Sequence, residues 1–170
     1  MELRSLLAVN NGQALRFFFE RLREVTALDS APVSELLYNA SVLAHFATTS
    51  TASSDMFPPA PTTLTTVLDV FVLDRSRHMD AEIMEAAASQ CLLLTGFFGD
   101  QQRERHNLKW YAAIGADFYD QAAALGQDRS RAKMMGRMAE RFGFWRQQQA
   151  RLARDLRETG QSLSSMIVRL

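Results

Sequence analysis

The sequence predicts an all-α fold, a single-domain bundle of about six helices. Apolar residues recur at the three- and four-residue spacing of helices along most of the 170 residues. The chain has only 8 Gly and 4 Pro to interrupt this pattern, fewer than a turn-rich chain would need. No segment alternates apolar and polar residues as a half-buried strand would. Together these observations favour helices throughout.

The length of the chain favours one domain over residues 1–170, because a chain of this size can bury about two-thirds of its unfolded surface in a single core. One segment departs from the helical pattern. Residues 48–66 contain seven Thr, three Ser and three of the four Pro, a composition that resists helix formation. We predict a surface loop over residues 48–62, and a C-terminal tail or short helix over residues 160–170.

Two helices are predicted before this loop. Residues 13–28 form the first, on the spacing of Leu15, Phe18, Leu22 and Val25. The second covers residues 33–49 and follows Ser30-Ala31-Pro32, a start signal with Pro near the first turn. Its predicted buried stripe consists of Leu36, Leu37, Ala40, Leu43, Ala44 and Ala47.

Four more helices are predicted after the loop, at residues 64–72, 80–98, 101–125 and 129–159. Asp80 opens the second of these as an N-cap. The second half of that helix, residues 91–98, is apolar on all sides, which is typical of a helix at the centre of a bundle. The predicted breaks are Gly99-Asp100 and Gly126-Gln127-Asp128.

The last predicted helix carries a hydrophobic seam at alternating four- and three-residue spacing. The seam consists of Met138, Phe142, Trp145, Gln149, Leu152 and Leu156. We predict that it packs against other helices of the same chain, and pairing with a second chain is the alternative.

Charge is unevenly distributed although the formal net charge is zero. Residues 128–158 hold nine Arg and Lys against four acidic residues, a net charge of +5, whereas residues 1–127 hold nine against fifteen, a net charge of −6. The arginines are scattered around the last helix, so we expect them to bridge to acidic helices and not to bind nucleic acid. No apolar run reaches the roughly 20 residues of a membrane span, so no membrane partner is predicted.

Residues that could carry catalysis are sparse. The single cysteine, Cys91, precedes a run of Leu, and apolar surroundings would raise its pKa and make it a poor nucleophile. The three His are far apart, and none lies in the Glu-x-x-His pairs of a di-iron bundle. We therefore predict no metal and no cofactor. The lone cysteine and the absence of a basic, then apolar, N-terminal segment predict a cytoplasmic protein.

The stretch His106-Asn107-Leu108-Lys109 resembles the phosphoacceptor stretch of histidine phosphotransfer domains. The resemblance implies phosphotransfer through His106. It covers four residues, and Trp110 stands where those domains have a small residue, usually Gly, that leaves the imidazole open. We favour instead an exposed or capping His in an Arg-rich turn.

The fifth predicted helix places Tyr111, Gly115 and Tyr119 at i, i+4 and i+8. A small residue between two Tyr lets another helix approach closely, and we favour this interpretation. The alternative is a ligand pocket with Tyr111, Tyr119 and Trp110 as polar-tipped walls.

The middle of the chain resembles a group of bacterial helical proteins of unknown function. The similar residues are Leu93-Leu94-Thr95-Gly96-Phe97-Phe98 and the pattern Trp110-Tyr111-x-x-Ile114-Gly115-x-x-x-Tyr119-x-x-Ala122. The resemblance implies a bacterial origin and an all-α fold, and it brings no activity with it. Where the group tends to have Pro after the Phe pair, this chain has Gly99.

These patterns lead to two main functional hypotheses. We favour a non-catalytic interaction or regulatory module whose partner is a protein, either a second copy in a homodimer or another protein. The alternative is a small-molecule-binding or enzymatic bundle with a pocket near Tyr111 and Tyr119. Phosphotransfer through His106 is a third hypothesis.

Overall fold

The computed structural model describes residues 3–52, 79–104 and 107–159, with side chains in the first range described from residue 12 to residue 47. All regular structure in these residues is helical, without strands, so the all-α prediction is confirmed. The described helices include none with both the length and the apolar content that a membrane crossing requires. They are α1 (Leu3–Val25), α2 (Val33–Ala52), α3 (Ala81–Thr95), α4 (Gly99–Gln102), α5 (Leu108–Leu125), α6 (Arg129–Glu140) and α7 (Phe142–Glu158).

Several predictions fall on other parts of the chain. The helix predicted at residues 64–72, the candidate phosphoacceptor His106 and the tail at residues 160–170 lie outside the described residues, as does most of the predicted loop. The start of that loop at residue 48 was wrong, because α2 continues through Ala52. Thr and Ser each cost only a few tenths of a kcal/mol in a helix, and a helix that has already nucleated tolerates them.

The chain divides into two compact units. Of the described residues, the first unit contains 3–52 and 151–159, and the second contains 79–104 and 107–150. Helix α7 therefore contributes residues to both. The single-domain organisation stays a prediction.

The first unit is built on the packing of α1 along α2. Helix α1 ends at Val25, earlier than predicted, and Thr26 closes it by donating from its Oγ1 to the carbonyl oxygen of Leu22 at 2.7 Å. Ser30 then adopts φ 50°, the left-handed conformation that reverses a chain. The buried apolar residues of α1 and α2 are Ala14, Phe18, Leu22, Leu36, Ala40, Leu43, Ala44 and Ala47.

The second unit is centred on α3, which packs along α5. As predicted, Asp80 caps α3, and its Oδ1 accepts from the N–H groups of Glu82 at 2.8 Å and Ile83 at 3.2 Å. Residues 91–95 are all buried, as expected for a central helix. The predicted end at residue 98 was wrong. The Phe98 N–H donates to the carbonyl oxygen of Leu93, five residues back, at 2.9 Å, a bond that turns the chain out of the helix.

The next two helices also begin and end differently from the prediction. Gly99-Asp100 does not break a helix but opens the short α4. The predicted helix over residues 101–125 begins only at Leu108, because Asn107 caps it by accepting from the Trp110 N–H at 3.3 Å. The predicted break at residues 126–128 is confirmed, since α5 ends at Leu125 and α6 begins after Asp128.

The predicted last helix is two helices, α6 and α7, separated at Arg141. This residue has φ −105° and ψ 19°, outside the helical region. The interruption is confined to one residue, because the Arg141 N–H donates to Arg137 at 2.9 Å and the Trp145 N–H donates to Arg141 at 3.0 Å. All six residues of the hydrophobic seam are buried within the chain, as predicted.

Candidate functional site

The face of α5 that carries Tyr111, Gly115 and Tyr119 is buried in the second unit. A Cβ atom on Gly115 would lie 2.6 Å from Phe142 Cζ and 2.7 Å from Cys91 Cβ. The rings of Tyr119 and Phe142 have their centroids 6.0 Å apart. Side chains from α3 and α7 therefore fill the space beside Gly115, between the two tyrosines.

Trp110 does not share this buried face. Its side chain is 46% exposed, and its ring meets the ring of Tyr111 edge-on, with centroids 4.9 Å apart. Of the four residues singled out from the sequence, Tyr111, Gly115 and Tyr119 are buried on one face. The indole of Trp110 lies at the surface beside them.

A second glycine brings α3 and α7 into close contact. A Cβ atom on Gly96, which follows α3, would lie 3.1 Å from the carbonyl oxygen of Arg146 and 3.2 Å from Gln149 Cβ. The helical seam residue Gln149 therefore packs directly against the end of α3. Gly96 and Gly115 together set the distances at which α7 approaches its neighbours in the second unit.

Cys91 is fully buried in α3, and burial raises the pKa of its thiol to about 12. At neutral pH the thiol therefore stays protonated, whereas a nucleophile or a metal ligand must be a thiolate. The burial of Cys91 confirms its predicted place in the core.

The described residues show no arrangement of histidines that would support catalysis or metal binding. His45 lies on the exposed side of α2, while His78 and His106 fall outside the described ranges. In those ranges, no three His, Cys, Asp and Glu side chains gather as a metal site would require. Phosphotransfer through His106 stays a prediction.

Two basic side chains, one of α6 and one of α7, form ion pairs with acidic residues of other elements. Arg131 of α6 binds Glu85 of α3 through two parallel bonds, from Nε at 2.9 Å and from Nη2 at 2.7 Å. In the first unit, Arg151 of α7 donates to Asp29 at 3.1 Å. These pairs neutralise part of the positive charge of residues 128–158.

The guanidinium of Arg146, a residue of α7, lies at the start of α5, where its Nη1 donates to the carbonyl oxygen of Leu108 at 3.4 Å. Burial, and secondarily the charge of Arg103, lower the pKa of the Arg146 guanidinium from its usual value. Arginine nevertheless stays charged at neutral pH. The contact therefore ties α7 to the first turn of α5 through a hydrogen bond from a cation.

Sequence reasoning missed the outer side of α2. Leu37 was predicted to be buried, but its side chain is 48% exposed, and Val33, one turn earlier, is 68% exposed. Leu28, in the preceding turn, is 93% exposed. The buried stripe is centred on Leu36, and Leu37 points about 100° away from it. We define the α2 outer face by its exposed residues Val33, Ser34, Leu37, Ser41 and His45.

The α2 outer face carries no Asp, Glu, Lys or Arg. The only such residue in α2 is Glu35, and it is buried. By contrast, the helices α1, α5, α6 and α7 expose charges, among them Arg16, Asp117, Lys133 and Arg154. The signal available in the sequence was this lack of charge, together with Leu37, Ser41 and His45 at four-residue spacing.

Comparison of the chain with known protein families, with curated proteins and with solved structures found no match. The resemblance of residues 93–122 to a group of bacterial helical proteins therefore stays a prediction.

Proposed function

We propose that this chain is a non-catalytic interaction module that binds another protein through the α2 outer face. The observation that carries the proposal is the exposure of Val33 and Leu37 on a helix side without charge. Single exposed apolar residues are ordinary on protein surfaces, whereas clustered ones mark interaction sites. Val33 and Leu37 are one helical turn apart and therefore share a face.

Burial of this cluster would contribute a substantial free energy. Full burial of a Val or Leu side chain is worth about 1.5–3 kcal/mol. Scaled by their exposed fractions of 68% and 48%, Val33 and Leu37 together offer roughly 2–3.5 kcal/mol on being covered. A solvated helix side normally carries charged residues instead, so this composition supports a face that a partner covers.

The contacts around Gly115 favour this reading over a small-molecule site. In our proposal Tyr111, Gly115 and Tyr119 are helix-contact residues, because Phe142 and Cys91 occupy the space between the two tyrosines. Trp110 lies at the edge of that contact. The protonated thiol of Cys91 supports a non-catalytic role. A single cysteine without a disulfide partner suits a cytoplasmic protein.

Site-specific photo-crosslinking in cells of the organism that encodes the chain tests the proposal. A benzophenone amino acid replaces Leu37, and in the matched control it replaces Gln13, which is exposed on α1 of the same unit. We expect a protein adduct at residue 37 and none at residue 13. If residues 33, 37 and 41 all fail to give an adduct, the α2 outer face is not an interaction surface.

A further inference from the structure

No further inference is drawn: the strongest candidate, the surface patch formed by the basic side chains of Arg129, Lys133 and Arg137 along one side of α6, suits a nucleic acid and an acidic protein equally well, and nothing in the described residues shows which of them covers it.

Discussion

Gly115 of α5 lies against Phe142, the first residue of α7, so closely that a Cβ atom on residue 115 would be 2.6 Å from Phe142 Cζ. Cys91 Cβ of α3 would be 2.7 Å away on the same site. Carbon atoms in van der Waals contact are about 3.5–4.0 Å apart. Because glycine has no Cβ atom, residue 115 lets α3, α5 and the start of α7 pack this closely in the second unit.

Gly115→Ala should destabilise the protein by about 1–3 kcal/mol, the usual cost of overpacking a core. Alanine also gains up to about 1 kcal/mol over glycine in helix propensity, so the steric cost has to exceed this gain. One obstructing atom belongs to a ring and the other is a Cβ held by its own backbone, which limits local adjustment. Urea unfolding of the two proteins measures the difference.

Gly136→Ala is the matched control for this substitution. Gly136 lies inside α6, and a Cβ atom there would meet nothing within 4 Å. Only the propensity term applies, so this variant should be more stable than the wild type by up to about 1 kcal/mol. Equal gains from both substitutions would show that the contact between Gly115 and Phe142 is looser than described.

Cys91 should make the stability of the protein depend on pH in the alkaline range. Burial raises the pKa of its thiol from 9.0 to about 12, so the folded state keeps its proton to higher pH than the unfolded state does. The stabilisation is complete below pH 9 and is lost as pH rises from 9 to 12, with a slope of up to about 1.4 kcal/mol per pH unit. Urea unfolding at several pH values between 8 and 10.5 detects it.

The Cys91→Ala variant isolates this effect from the titration of other groups. It is expected to be less stable at every pH because it leaves a small cavity, so only the pH dependence is compared. Between pH 9 and 10.5 the wild type should lose more stability than the variant. Parallel curves would mean that the thiol ionises as readily in the folded state as in the unfolded state.

The features that the sequence predicted correctly are those set by a few neighbouring residues. Asp80 was identified as a helix start because a side-chain oxygen needs only the N–H groups two and three residues later. Burial of the hydrophobic seam followed from its spacing alone. Both kinds of signal are contained in residues that are near each other in the sequence.

The features that the sequence did not predict depend on competition between alternative helix starts or on packing against other helices. Asp100 and Asn107 both resemble helix starts, and only the structure shows that the long helix begins after Asn107. Leu37 lies beside the buried stripe of α2, and its exposure depends on where α1 packs. The interruption at Arg141 occurs without Pro, so the sequence did not predict that the helix would be divided there.

The bidentate pair of Arg131 and Glu85 should contribute a measurable coupling energy between α6 and α3. Its two bonds are 2.7 and 2.9 Å long, and Glu85 is the more buried partner, with 14% of its side chain exposed against 62% for Arg131. Exposed ion pairs usually contribute about 0.2–1 kcal/mol, and we expect a value near the upper end because the geometry is bidentate.

A double-mutant cycle with Arg131→Gln and Glu85→Gln measures this coupling, because each substitution removes one charge and keeps the approximate size of the side chain. The coupling should fall when NaCl is raised to about 1 M, where the Debye length is about 3 Å. A coupling of zero at low salt would show that the pair does not hold the two helices together. The Arg16 and Glu20 pair, both exposed on α1, is the comparison and should couple by no more than about 0.5 kcal/mol.

Asp128 should be needed for the start of α6. Its Oδ1 accepts from the N–H groups of Ser130 at 2.9 Å and Arg131 at 3.3 Å, two groups that have no partner within the helix. Asp128→Ala should therefore cost about 0.5–2 kcal/mol, while Asp128→Ser should restore most of it because serine also caps. Asp117→Ala, at an exposed position inside α5, is the control and should change stability by no more than about 0.5 kcal/mol. Equal stability of the Ala and Ser variants at residue 128 would mean that the cap does not stabilise α6.

Because Arg131 is also the residue that binds Glu85, a frayed first turn should weaken that pair as well, and the coupling energy measured in the Asp128→Ala background should fall.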